Sequence, residues 1–327
     1  MSKPALAITN LRTEFKINGQ WHAAVRDLSL TLMRDETLAL VGESGCGKSV
    51  TALSVMGLVQ PPYGRVSAGR IALDGREIAG LPDRDLERIR GDRMAMIFQE
   101  PMTSLNPVMT VGDQVAEALR IHRGLDRAAA LDRARGLFEE VKIPSAAQRL
   151  REYPHQFSGG MRQRVMIAIA LACDPAVLLA DEPTTALDVT IQAQVLGLLA
   201  DLRAKHGTAV LFITHNLGVV AQIADRVAVM YAGEIVEQGP VGAIFSRPLH
   251  PYTRALFSAI PRLDQPDQAL SAIAGRVPPL DAMPQGCRFA PRCALKRAGC
   301  EREQALAEVD EGHAARCHVA TGAFAHA

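Results

Sequence analysis

The sequence predicts an α/β fold: a sheet covered by helices, an inserted helical subdomain, and a small cysteine-rich C-terminal extension. Three observations carry this. Short aliphatic runs alternate with helix-forming stretches, the pattern of a helix-covered sheet. One run leads directly into a glycine-rich loop and then a helix. The next strand-like run ending in acids lies 139 positions further on, between Gly42 and Asp181, far more than one crossover connection requires.

Leu38–Val41 reads as a buried strand, as do Val177–Ala180 and Ala209–Ile213, each followed by polar residues. Val227–Tyr231, then Ala-Gly, then Glu234–Glu237 reads as a hairpin. The segment from about Met102 to Ala172 is rich in helix formers and Arg/Glu pairs and is expected to be the helical insertion. A proline-punctuated stretch from Arg247 to Pro279 separates a body, residues 1–245, from an extension, residues 246–327.

A chain of 327 residues suggests about two domains, and 48% hydrophobic with 22% charged residues is ordinary for a large core. A net charge of +1 leaves no electrostatic footprint for nucleic acid, and 4% aromatics argue against a base-stacking platform. The first ten residues lack the basic start and apolar run of a signal peptide. Apolar runs such as Val165–Cys173 end well short of membrane-spanning length. The chain is expected to be soluble by itself, with any membrane role borrowed from partners.

Gly42-Glu43-Ser44-Gly45-Cys46-Gly47-Lys48-Ser49 fits G-x-x-x-x-G-K-S between a strand and a helix starting near Val50. Glycines let backbone N–H groups converge on phosphate oxygens, and the helix N-terminus favours negative charge. Lys48 is expected on the β- and γ-phosphates and the Ser49 hydroxyl on Mg²⁺. The run Val177-Leu-Leu-Ala-Asp181-Glu182-Pro183 ends a strand in two acids, Asp181 for the magnesium and Glu182 as general base for the attacking water.

Phe157-Ser158-Gly159-Gly160-Met161-Arg162-Gln163-Arg164 resembles the signature motif of the ABC ATPases. Ser158 can cap a helix, and the glycines leave N–H groups open to an anion. The helix Met161–Cys173 is apolar nearly all round and is expected to be buried. The resemblance implies a RecA-like core with an antiparallel β subdomain and the helical insertion. It also implies that Ser158, Gly159 and Gly160 serve ATP held by an opposite subunit. Ile97-Phe98-Gln99 resembles the Q-loop, with Gln99 sensing magnesium and water. Ala186-Leu187-Asp188 resembles the D-loop, and Ile213-Thr214-His215 the switch, with His215 orienting Glu182 and stabilising the γ-phosphate. Asn216 stands where the family more often has Asp. An adenine-stacking aromatic is expected upstream: Trp21 first, Phe15 second, with an edge-strand aromatic covering the sheet as the alternative for both.

Six cysteines are present. Cys46 and Cys173 are isolated and read as packing residues. Cys287, Cys293, Cys300 and Cys317 are spaced C-x5-C-x6-C-x16-C, unlike the paired C-x2-C of structural zinc sites. Together with His250-Pro-Tyr-Thr-Arg-Ala-Leu-Phe-Ser-Ala259, they resemble the C-terminal region of dipeptide and oligopeptide importer ATPases. That resemblance implies a [4Fe–4S] cluster on the four thiols; zinc, with His313 or His318 substituting, is the alternative. His250 and Tyr252 are expected to pack the linker. The resemblance further implies a second, related ATPase subunit, two transmembrane permease subunits, an external substrate-binding protein, and a place at the cytoplasmic face of the inner membrane. The implied activity is ATP hydrolysis powering uptake of di- or oligopeptides, with nickel chelates or glutathione-like cargo as the alternative. A soluble ABC ATPase acting on DNA or ribosomes is the less favoured class, because sustained heptads and basic excess are missing from the sequence. A catalytically silent scaffold is disfavoured because Glu182 and His215 are both present.

Overall fold

The computed structural model describes residues 3–100, 104–185, 187–259 and 273–321. It divides into two compact units: Met1–Leu6, Leu32–Glu36 and Gly80–Ile213, then Ala7–Thr31, Thr37–Ala79 and Thr214–Ala327. In chain order the strands are β1 Leu6–Ile17, β2 Gln20–Leu32, β3 Thr37–Val41, β4 Gly64–Leu73, β5 Arg76–Glu77, β6 Met94–Ile97, β7 Val177–Asp181, β8 Ala209–Thr214, β9 Arg226–Tyr231, β10 Glu234–Pro240, β11 Ala307–Asp310 and β12 His313–Ala315.

In the first unit β6, β7 and β8 pair in parallel, Ile97 opposite Ala180 and Asp181 opposite Ile213. Every residue of β7 and β8 is buried, which is why both read as unbroken apolar runs without alternation. The helical insertion contains Val111–Arg123 and Arg127–Glu140, each with a side-chain cap. Thr110 accepts the Asp113 N–H at 3.2 Å, and Asp126 accepts that of Ala129 at 2.8 Å. Met102, where the insertion was expected to begin, lies outside the described residues. The helix Gly159–Leu171 is largely buried as expected from its composition, and its buried Arg164 is accommodated by specific bonds. Arg164 donates to the Val141 carbonyl at 2.7 Å and to the Gln194 amide oxygen at 3.0 Å.

In the second unit one sheet runs β2-β1-β4-β5, apart from single end residues that fall in the first unit. Asn18 and Gly19, both at positive φ, make the turn between β1 and β2. The expected hairpin is β9 and β10, turning at Ala232 and Gly233 with φ of 46° and 89°. Beside it β3 pairs parallel to β9, and on the other side β12 pairs antiparallel to β10, with Glu237 opposite Ala315. The residues of the C-terminal extension therefore continue the sheet of the hairpin.

Glu237 pins that junction. Its fully buried carboxylate accepts the Leu249 and His250 backbone N–H groups and bonds the His313 ring, all at 2.8 Å. Tyr231, Tyr252 and Phe289 meet beside it with ring centroids 4.7 to 5.4 Å apart, joining sheet, linker helix Pro251–Ser258 and cysteine-rich loop in one core.

Candidate nucleotide site

In the second unit, β3 delivers the chain into Gly42 and the helix Lys48–Val55 leaves it, as the strand–loop–helix spacing requires. Two glycines are demanded by close approach. A Cβ on Gly42 would lie 2.1 Å from the Met230 carbonyl oxygen, and one on Gly47 would lie 2.8 Å from the Met230 Cε and 3.0 Å from the Ala24 carbonyl oxygen. Such a cradle, closed on one side by β9 and the β9–β10 turn, lets backbone N–H groups gather around an anion. Lys48 is buried, and its ammonium donates to the carbonyls of Gly42 at 2.9 Å and Glu43 at 3.0 Å. Ser44 and Gly45 form the exposed rim; Ser49 and Val50 are half-buried in the first helical turn. Cys46 is buried, and burial raises its thiol above the ordinary range, which suits the packing role. These residues fit a triphosphate with magnesium by their glycine cradle, buried lysine and helix start.

In the first unit Asp181 closes β7 and is buried. Glu182 follows at the strand's C-terminal end with φ 46°, a strained backbone for a non-glycine residue. Its carboxylate accepts from the Gln99 amide at 3.2 Å and the Thr185 hydroxyl at 2.9 Å. Gln99 and Glu182 are thus brought together as two members of one motif set. Thr185 is a partner that sequence reasoning missed; its position three residues after Glu182 was the available signal.

Ser158 caps the helix Gly159–Leu171, its hydroxyl accepting the Met161 N–H at 3.4 Å. Asp188 caps Val189–His206 in the same way, accepting the Ile191 N–H at 2.9 Å. The two starts touch: a Cβ on Gly160 would lie 2.6 Å from Ile191 Cγ2. Ala186 of the D-loop lies outside the described residues. His215 is exposed immediately after β8. Asn216 is explained by capping: its amide oxygen accepts the Gly218 and Val219 N–H groups at 3.0 and 3.3 Å, a task Asn performs as well as Asp.

Trp21 is half-buried, with the Arg65 guanidinium 4.1 Å from its ring centroid. Phe15 packs against Gly64, where an added Cβ would lie 3.0 Å from the ring. One face of Trp21 is therefore already covered by a cation, and Phe15 is engaged by its own sheet.

The four tail cysteines line one narrow cavity of about 10 Å³ together with His250 and His318; Cys287, Cys293 and Cys300 come from the connection before β11 and Cys317 from just after β12. Cys300 and Cys317 are buried and Cys287 and Cys293 half-buried. Burial pushes the Cys287 thiol up to about 11, and the neighbouring Cys317 and Cys300 push the same way. Among the described residues no three His, Cys, Asp or Glu side chains are posed to hold one metal ion. Four thiols lining one cavity are a donor set of the kind that [4Fe–4S] clusters take. His313 is not part of this lining; it sits in β12 bonded to Glu237, so its zinc role is withdrawn. His250 and Tyr252 pack the linker as expected, and burial lowers the imidazole of His250 to about 3.

A strand-to-helix phosphate loop, a strand-end acid pair and a serine-capped glycine pair define the chain as an ATPase of the ATP-binding-cassette class. Residues 25–185 match the family model for ABC transporter, and residues 236–300 match that for Oligopeptide/dipeptide transporter, C-terminal region. Two proteins of Brucella abortus (strain 2308), each named "Putative peptide import ATP-binding protein", are 50% identical to it. One alignment covers 96% of this chain and 97% of the relative, the other 96% and 94%. Among solved structures, the dimeric ATP-binding cassette MJ0796 in a post-hydrolysis state with ADP and Pi is similar at 28% identity and a TM-score of 0.64, over 72% of this chain and 98% of that one. The cbiO1 cassette from Clostridium perfringens shares the fold, with a TM-score of 0.63 at 24% identity over 75% and 92% of the two chains. This chain belongs to the ABC transporter ATP-binding subunits that carry the oligopeptide/dipeptide transporter C-terminal region. No described helix is long and apolar enough to cross a membrane.

Proposed function

We propose that this subunit hydrolyses ATP to power uptake of di- or oligopeptides, working at the cytoplasmic face of the inner membrane. Its partners in this reading are a second, related ATPase subunit, two permease subunits and an external substrate-binding protein. The observation that carries the cargo assignment is the match of residues 236–300 to the peptide-transporter C-terminal region, supported by relatives at 50% identity over 96% of the chain.

In the reaction, a water oxygen bonds to the γ-phosphorus as the bond to the β–γ bridging oxygen breaks. Glu182 accepts the water's proton, and ADP leaves with phosphate. Gln99 and Thr185 orient the Glu182 carboxylate. Lys48 and the loop N–H groups bind the β- and γ-phosphates, and His215 supports the γ-phosphate. Ser49, Asp181 and Gln99 would hold magnesium, which would supply charge neutralisation on the phosphate oxygens. Ser158, Gly159 and Gly160, with Asp188 behind them, serve the ATP of the partner ATPase, so two composite sites close together. The Trp21 ring takes the adenine on the face away from Arg65.

Cys287, Cys293, Cys300 and Cys317 hold a [4Fe–4S] cluster, which supplies a structural or redox-sensing centre. Raised thiol values mean that loading releases protons and depends on pH. Anaerobically purified protein is expected to carry about four iron and four sulfide per chain; stoichiometric zinc without labile sulfide rejects the cluster. For the cargo, reconstitution with the permeases and binding protein is expected to give ATPase activity stimulated by a dipeptide or oligopeptide mixture. Stimulation by nickel chelates or glutathione but by no peptide rejects peptide cargo.

A further inference from the structure

The cysteine-rich loop reaches the phosphate loop. Between Cys287 and Cys293 the chain makes one tight turn, Ala290–Arg292, with the Arg292 N–H bonded to the Phe289 carbonyl at 2.9 Å. Both ends of this segment are thiols of the cysteine cavity. Arg288 and Arg292, each next to one of these thiols, are not part of the cavity lining and reach other partners. The Arg292 side chain is 4% exposed and forms a two-pronged pair with the Glu43 carboxylate, Nη1 to Oε2 at 2.6 Å and Nη2 to Oε1 at 3.1 Å. The guanidinium is held for this by the Ala274 and Ile273 carbonyls at 2.9 and 3.2 Å and the Tyr231 hydroxyl at 3.4 Å. A planar fork so constrained fixes the position of the carboxylate and not merely its charge.

Glu43 is the second residue of the phosphate loop, and all three of its polar groups are engaged. Its N–H donates to the Tyr252 hydroxyl at 2.9 Å, its carbonyl accepts from Lys48, and its carboxylate meets Arg292. A second arm leaves the same segment. Arg288 donates to the Ala232 carbonyl in the β9–β10 turn, whose Gly233 N–H bonds the Cys46 carbonyl at 2.7 Å. The segment between two candidate cluster ligands thus grips the phosphate loop at Glu43 and, through the turn, at Cys46.

We infer that Arg292 is a positioning residue for the phosphate loop, and that occupation of the cysteine cavity sets nucleotide affinity through it. The second half rests on the cluster reading above. With the thiols ligated, the segment Cys287–Cys293 is fixed and Arg292 neutralises Glu43 beside the incoming phosphates. With the ligands lost, the segment loosens and the Glu43 carboxylate repels the triphosphate.

The test is a set of dissociation constants for the N-methylanthraniloyl derivative of AMP-PNP with Mg²⁺, measured on the full chain. Arg292→Ala is expected to weaken binding about fivefold or more, and adding Glu43→Gln to bring it within about twofold of Glu43→Gln alone, because the unpaired carboxylate is gone. The ATPase rate at saturating ATP stays within about twofold while KM rises, a split that a general loss of folding does not produce. Cys293→Ser, with iron loss verified, is expected to weaken binding about threefold in the wild-type chain and leave it unchanged in the Glu43→Gln chain. Glu43→Gln breaks the link from its more exposed end and keeps the test open should Arg292→Ala not fold. Unchanged affinity in Arg292→Ala, failure of the Glu43→Gln rescue, or an equal Cys293→Ser effect in both backgrounds overturns the inference. Absence of iron and sulfide from the wild-type protein rejects the cluster and its control of the loop, while the Arg292–Glu43 cycle still decides the positioning role.

Discussion

Adding a single methyl group at Gly42 should separate nucleotide binding from folding of the rest of the chain. The Cβ of Gly42→Ala would stand 2.1 Å from the Met230 carbonyl oxygen and 2.8 Å from Cys46 Sγ. A relaxed carbon–oxygen contact is about 3.3 Å, so loop and strand must part by roughly 1.2 Å. Met230 belongs to β9, which is buried and paired on both sides by β3 and β10, so the strand does not yield and the loop moves. Displacement of a phosphate-binding group by about 1 Å costs on the order of a hundredfold in function, and the overpacking itself about 1–3 kcal/mol. Gly45→Ala is the control. Its φ is +78° but no atom lies within 4 Å of the added methyl, so only backbone strain of about 1–2 kcal/mol applies. Titration with the fluorescent AMP-PNP derivative should therefore show Gly42→Ala at least about tenfold weaker than Gly45→Ala, with both variants retaining most of their thermal stability. Equal binding by Gly42→Ala and wild type would refute the argument that β9 forms a rigid wall of the cradle.

Glu237→Ala should strand two buried N–H groups and the His313 ring, costing about 3–5 kcal/mol and exposing the tail to limited proteolysis before the rest of the chain; uniform digestion kinetics would argue against Glu237 as the pin. Gly160→Ala should force its methyl against Ile191 Cγ2 at 2.6 Å, lowering ATPase activity several-fold with little change in nucleotide affinity of the isolated subunit; Ile191→Ala in the same chain should recover much of it. Burial alone would raise the carboxyl of Glu140, but Lys205 and Arg133 hold it below its ordinary value. A carboxylate with a depressed folded value contributes stability above its unfolded value of about 4.3 and loses it as pH falls. Glu140→Gln should therefore flatten the fall of the melting temperature below about pH 4.5, and an unchanged acid limb would remove Glu140 from that account.

The phosphate loop, the strand-end acids and the capped glycine pair were legible because each is local: spacing of a few residues sets the geometry, and Ser158 and Asp188 cap their helices from inside their own motifs. The strands β3, β7 and β8 were legible because full burial leaves unbroken apolar runs. Tyr252 and Arg292 were not legible as loop contacts. Their partner Glu43 lies 209 and 249 residues away, and an isolated Tyr or Arg near a helix start carries no spacing signal. The pairing of β12 with β10 was hidden for the same reason: three residues, His-Ala-Ala, are too short to show an alternation. Adenine stacking stays between aromatics in the sequence because only tertiary structure reveals that Arg65 covers one face of Trp21.

Glu182, oriented by Gln99 and Thr185, is the base proposed for ATP hydrolysis in this subunit. Its most direct test is Glu182→Gln in the complex assembled with the permeases and the partner ATPase, with phosphate release and nucleotide occupancy measured on the same sample. Hydrolysis at this subunit's site is expected to fall about 10²- to 10⁴-fold, with ATP still bound and the nucleotide-closed form accumulating. Near-normal phosphate release from that site would contradict it.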